Sequence, residues 1–193
     1  MFGELKKRFK KKEDSKIKRI GPDVGKQWLL RSKWYLKRMF GYIGEDVEIR
    51  KGAYLVHTEN IELGHRVVIR PGCQLYADEV AHICIAPDVL IGPGVSIFTN
   101  NHKIQEGPDD YEYKNVTLSD GCWIGANVIL LAGTHVGHNA VVGAGSVVTG
   151  SHVPNGEIWA GNPARPIKKT DDAAKILKAQ YTSKGKLVRR KQR

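Results

Sequence analysis

His102 is a candidate proton acceptor because of where it stands. It lies near the head of FTNNHKIQEGPDDYEYKN, residues 98–115, a charged stretch between two regions where Ile, Leu or Val returns every sixth residue. A neutral imidazole can take a proton from a hydroxyl near neutral pH. Taken alone, however, a solitary His in a polar loop is ordinarily just a solvated side chain. The other reactive side chains argue against several chemistries. Cys73, Cys84 and Cys122 are odd in number, lack CxxC spacing and have no His pair to complete a zinc site, so a reducing cytoplasm fits better than a disulfide framework. No GxSxG occurs, which argues against a Ser-nucleophile acyl-enzyme. GAGSVV lacks the third Gly of a dinucleotide loop and continues the six-residue beat.

That beat names the elements that must position His102. From Leu118 it runs unbroken through Ile124, Leu130, Val136, Val142 and Val148. Gly follows the aliphatic at Gly125, Gly137 and Gly143, and a small or β-branched residue sits four places after it in Cys122, Val128, Thr134, Ala140 and Ser146. A period of six is neither helical nor a simple alternation. It is the pattern of a parallel β-helix in which each hexad is one short strand and a bend, with the aliphatic inward and Gly easing the tight backbone. Earlier, the beat comes in blocks of three: Ile43, Ile49, Leu55; Leu63, Ile69, Leu75; Ile85, Ile91, Ile97. Three hexads per block predict a three-sided prism, one block per coil. After each block the next aliphatic is late, by two residues, then four, then fifteen, and the third hexad's fifth position turns polar as Glu59, Glu79 and Asn101. Extra residues in a solenoid become loops on one edge, so these should stack together, and the longest is the stretch holding His102.

The 193 residues suit one domain with appendages: a basic segment 1–24, a short amphipathic helix 25–40, a β-helix domain 41–169 with an excursion at 101–115, and a C-terminal helix and basic tail 170–193. In the helix, Trp28, Tyr35, Leu36 and Met39 share a face that should cap the first coil, opposite Lys26, Lys33 and Lys37. The net charge of +11 belongs to the ends. Residues 41–183 hold 11 basic and 16 acidic side chains, which argues against a nucleic-acid-binding body. Basic tails are usually solvated chain, with weak membrane-surface association as the alternative. No apolar run reaches the length of a membrane span.

The stretch CWIGANVILLAGTHVGHNAVVGAGSVVTGSHVPNGEIWAGNPARPIKK resembles the hexapeptide-repeat O-acetyltransferases of the left-handed parallel β-helix class, including galactoside, maltose and lipopolysaccharide acetyltransferases. WIG, GAGSVVT and GNPAR carry the likeness, which is strong over residues 85–169, weaker over 41–84 and absent at the termini. The resemblance implies a left-handed coil, a homotrimer and acetyl-CoA as co-substrate. It places the family's catalytic His at His102. It sets Ala126 and Ala144 along the pantetheine slot, Thr149 at a further pantetheine contact, and Arg165 and Lys168 near the nucleotide phosphates. Trp123 borders the site, and Asn100 and Asn101 are candidate acceptor-binding residues. Where galactoside enzymes place an Asn near the acceptor, a rough alignment gives Gly72, so acceptor identity does not transfer. A carbonic-anhydrase branch shares this fold, but its zinc needs an HxxxxH-like pair. His135 and His138 are spaced otherwise and, like His57, His65 and His152, read as surface or corner residues, so no metal is expected.

The expectation is a cytoplasmic acetyl-CoA-dependent O-acetyltransferase acting on a sugar hydroxyl in surface-polysaccharide biosynthesis, peripheral at the inner membrane face if its basic ends bind there. His102 would be the general base, with Glu106, Asp109 or Asp110 near enough in sequence to orient it. The alternatives are an N-acetyltransferase for sugar nucleotides, a xenobiotic acetyltransferase, and a non-catalytic trimeric scaffold.

Overall fold

The computed structural model describes residues 19–20, 33–103 and 110–169; residues 25–32 of the amphipathic pattern and the C-terminal segment 170–193 lie outside the described residues. The chain opens with β1 (Arg19–Ile20) and helix α1 (Lys33–Met39). The first coil is β2 (Tyr42–Ile43), β3 (Glu48–Ile49) and β4 (Tyr54–Val56), and the second is β5 (Ile61–Leu63), β6 (Val68–Ile69) and β7 (Gln74–Tyr76). The third, β8 (Ile83–Ile85), β9 (Leu90–Ile91) and β10 (Ser96–Phe98), is followed by β11 (Asn100–His102) and β12 (Tyr111–Tyr113). The fourth is β13 (Val116–Leu118), β14 (Trp123–Ile124) and β15 (Ile129–Leu130); the fifth is β16 (His135–Val136), β17 (Val141–Val142) and β18 (Val147–Val148). A sixth begins with β19 (His152–Val153) and β20 (Glu157–Gly161), and β21 (Ala164–Lys169) then turns back antiparallel on β20.

Corresponding strands of successive coils pair in parallel and build three faces. β2, β5, β8, β13, β16 and β19 form the first; β3, β6, β9, β14, β17 and β20 the second; β4, β7, β10, β15 and β18 the third. The coil is left-handed. From Leu55 to Val148 every aliphatic on the beat is at most 3% exposed, so the hexad's inward residue is the core. At the open N-terminal end Leu36 and Phe40 bury themselves on the first coil, with Tyr35 and Met39 packed alongside. The small fifth positions are buried too, and their hydroxyls are satisfied locally. Thr134 Oγ1 donates to the Leu131 carbonyl (2.7 Å) and Ser146 Oγ to that of Gly143 (2.6 Å).

Glycine's role differs from the sequence expectation. The Gly directly after the aliphatic does not take the left-handed conformation. A Cβ on Gly125 would lie 2.5 Å from the Ala144 nitrogen, and one on Gly92 2.7 Å from that of Ala126, so these glycines let coils approach. Left-handed backbone falls two residues later, at Gly94, Asn127, Asn139 and Gly145, where Gly or Asn tolerates it. The beat also shortens by one at the last coil, from Val148 to Val153, both buried.

All three insertions fall at the corner between the third and first faces, and they stack. Asn60 Nδ2 donates to the Asp78 carbonyl (2.6 Å), Asn100 Nδ2 to Asp78 Oδ2 (3.2 Å), and the His82 amide to Asn115 Oδ1 (2.8 Å). The described ends of the long excursion form a ribbon. β11 and β12 pair antiparallel, Asn100 opposite Tyr113 and His102 opposite Tyr111. The Tyr-Glu-Tyr alternation of β12 suits a strand. The chain rejoins the first face at Val116, which pairs with Ile83 two residues before the beat resumes at Leu118.

Candidate active site

The ribbon of β11 and β12 decides what surrounds His102. Side chains alternate across a strand, so Asn100, His102, Tyr111 and Tyr113 share one side of the ribbon, while Asn101 and its partner Glu112 point to the other. The His102 ring lies 4.3 Å from that of Tyr111, which is 5.9 Å from Tyr113. Asp78, held by Asn100, brings a carboxylate to the same corner. Burial raises the Tyr113 phenol above its ordinary value, and the charge on Asp78, the neighbouring Tyr111 and the charge on Glu79 add to it, so Tyr113 is a hydroxyl donor at neutral pH. Asp78, Tyr111 and Tyr113 were missed in the sequence. The signal was the shared edge of the delays, but the register that brings them together has no counterpart in the repeat. The Asp110 carbonyl accepts from the Lys103 amide (2.9 Å), which returns that residue beside His102; Glu106 and Asp109 lie outside the described residues.

Of the residues assigned to the cofactor, Ala126, Ala144 and Arg165 gather elsewhere. Ile124 is in register with Val142, and Val142 with Trp159, so Ala126, Ala144 and Gly161 take equivalent places in successive coils at the corner between the second and third faces. The Gly145 amide donates to the Ala126 carbonyl at 2.8 Å, which locks the step between coils. Arg165 lies opposite Ala160, beside this column, and Lys168 opposite Ile158; both side chains are exposed. Trp123, 37% exposed, stands on the outer surface of the second face between Leu90 and Val141. Thr149 follows β18, exposed, at the insertion corner. Within one chain, therefore, His102 and Thr149 occupy one corner of the prism and the small-residue column with Arg165 another, separated by the width of the third face.

The remaining histidines sit at surface or corner positions. His57 pairs with Glu59 (3.2 Å), His138 with Asp120 (3.2 Å), and the rings of His135 and His152 stack at 4.7 Å. Burial, then His152 and His138, hold the His135 imidazole below its ordinary value. Cys73 and Cys122 are fully buried on small-residue positions, and burial pushes the Cys122 thiol up to about 12, so it is unreactive near neutral pH. A shallow concavity of about 350 Å³ on the first face, lined by Tyr42, Glu62, His65, Cys84, Asp120 and His138 among others, contains none of the candidate residues. Among the described residues, no group of three His, Cys, Asp or Glu side chains is arranged to hold a metal ion.

Residues 115–150 match the family of bacterial transferase hexapeptide repeats. The galactoside O-acetyltransferase of Lactococcus lactis is 33% identical over 144 residues, 72% of this chain and 67% of that protein. The chain belongs to the hexapeptide-repeat acetyltransferases. Two solved structures agree with this. The maltose O-acetyltransferase of Clostridium difficile 630 superposes with a TM-score of 0.67 at 30% identity, over 78% of this chain and 80% of that one. A hexapeptide-repeat acetyltransferase of Vibrio cholerae, complexed with acetyl coenzyme A, gives 0.67 at 26% identity over 74% and 78%. The repeat match spans the fourth and fifth coils and so includes Trp123, Ala126, Ala144 and Thr149. His102, Arg165 and Lys168 lie beyond it.

Proposed function

We propose that the protein transfers the acetyl group of acetyl-CoA to a sugar hydroxyl, with His102 as general base, in the assembly of a surface polysaccharide. The observation that carries this reading is the grouping of His102 with Asn100, Tyr111, Tyr113 and Asp78 at one exposed corner. A carboxylate, an amide and phenols can hold the hydroxyls of a sugar, and aromatic rings can cover its apolar face. The imidazole takes the acceptor proton as the oxygen attacks the thioester carbon. The tetrahedral intermediate then expels the CoA thiolate, which recovers the proton from the imidazolium. The products are an acetyl ester and free CoA. Asn101, on the ribbon's other side, is left out of the acceptor site.

The pantetheine arm would lie along the column of Ala126, Ala144 and Gly161, with Arg165 and Lys168 toward the CoA phosphates and Thr149 and Trp123 bordering neighbouring sites. Because base and column lie at different corners, each site is assembled between two chains of a C3 homotrimer. Release of free CoA in the presence of a panel of sugars tests the reaction; release with amino sugars alone would replace it by N-acetylation. Chains carrying His102→Ala and chains carrying Ala144→Trp, each inactive alone, are expected to recover activity when co-assembled. Mixed oligomers without activity would place base and slot within one chain.

Two exposed cations near the column supply a separate check. Replacing Arg165 and Lys168 together by Ala is expected to weaken acetyl-CoA binding by about tenfold or more and to reduce its salt dependence, because charge-assisted phosphate contacts are lost. Calorimetry giving the wild-type affinity would remove both residues from the cofactor site.

A further inference from the structure

The N-terminal end of the prism has a chemistry of its own. α1 buries Leu36 and Phe40 on the first coil but turns Trp34 outward at 71% exposure, the highest of the large exposed hydrophobics among the described residues. The Arg38 guanidinium lies over this indole, 5.8 Å from the ring centroid. Lys37 and Arg38 are both exposed, and the helix has no acidic residue in its first turn. β1 runs antiparallel to β4 of the same coil, Arg19 opposite Val56 and Ile20 opposite Leu55. Residues 1–18, which precede β1 in the sequence, carry eight Lys or Arg against three acids. Residues 41–183, by contrast, carry a net charge of −5. Two exposed cations, one turn along α1, thus stand beside the most exposed large hydrophobic side chain of the described residues.

We infer that this end, through Trp34, Lys37 and Arg38 of α1, docks on an anionic lipid bilayer. An indole is amphipathic and settles at the depth of lipid headgroups, and adjacent Lys and Arg are drawn to an anionic leaflet within a Debye length of it. Charge complementarity alone would also suit nucleic acid. That partner would need a cationic track along the faces, and the faces belong to the net-acidic part of the chain. Docked in this way, the prism holds the His102 corner on its flank, clear of the bilayer. The inference is independent of the reaction proposed above.

The test uses the full chain with vesicles of phosphatidylcholine alone or mixed with phosphatidylglycerol. The protein is expected to sediment with the mixed vesicles at low salt and to be released at high salt. Lys37→Ala with Arg38→Ala should lower the partition coefficient roughly tenfold or more, at about fivefold per cation. Trp34→Ala should lower it by a similar factor. Brominated lipid should quench part of the tryptophan emission of the wild type, and Trp34→Phe should keep most of the partitioning while losing that quenching. Acetyl transfer by Trp34→Ala to a soluble acceptor is expected to match wild type, which separates this result from any failure of the catalytic reading. Equal sedimentation with neutral vesicles, none with anionic ones, or unchanged partitioning of the α1 variants would overturn the inference. So would tighter binding to single-stranded RNA than to anionic vesicles.

Discussion

Replacing His102 by Ala is expected to lower kcat by about 10²–10⁴-fold, roughly 3–5 kcal/mol of barrier, the range for loss of a positioned general base. The fold should hardly notice. The side chain is exposed on a ribbon outside the prism, so little apolar surface is lost with it. Melting temperature, oligomeric state and acetyl-CoA affinity should stay at wild-type values. His102→Asn retains a hydrogen-bonding side chain without the base and should be nearly as impaired. A variant that keeps most of its kcat would return His102 to the role of a solvated residue and send the search for a base to Asp78.

Leu118→Ala should do the reverse and strike stability first. Leu118 is fully buried, in register between Ile85 of the third coil and Val136 of the fifth, where the chain rejoins the prism after the excursion. Removing its branched end loses the transfer free energy and leaves a cavity that neighbouring coils cannot close, a cost of about 2–5 kcal/mol. For a domain of this size that is on the order of 10 °C in Tm. Activity should fall as well, because Leu118 anchors the returning end of the segment that carries His102. Val80, on the same corner but 68% exposed, provides the contrast, and Val80→Ala should stay within about 0.5 kcal/mol of wild type. Thermal melts in which the two variants behave alike would contradict the stacking of the fourth coil on the third at this point.

His102→Ala and Leu118→Ala separate the proposed presentation of a base by this segment from its closure of the core. The repeat tolerates the excursion because each coil is held by its neighbours' strands rather than by its own corner. β13 pairs with β8 in the coil below and β16 in the coil above, so the sheet continues past the insertion. A catalytic element can therefore be hung on a corner without interrupting the core. The neighbouring insertions support it, since Asp78 from the second delay is bound by Asn100 from the third.

The six-residue period by itself determined the three faces, the inward residues and the single corner at which the insertions stack, and it put His102 at the head of the longest. A solenoid is quasi-one-dimensional, so residues a whole coil apart must lie over one another and the pattern can be counted off the chain. Even there, glycine's reason was only half legible. The position after the aliphatic reads as a place of backbone freedom, but its constraint is the next coil's backbone, 2.5 Å from a would-be Cβ at Gly125, and a neighbouring coil cannot be seen in one hexad. Only the tertiary structure decided which residues His102 meets. The antiparallel register of β11 and β12 puts Tyr111 and Tyr113 beside it and Asn101 on the far side, and that register follows from contacts outside the repeat.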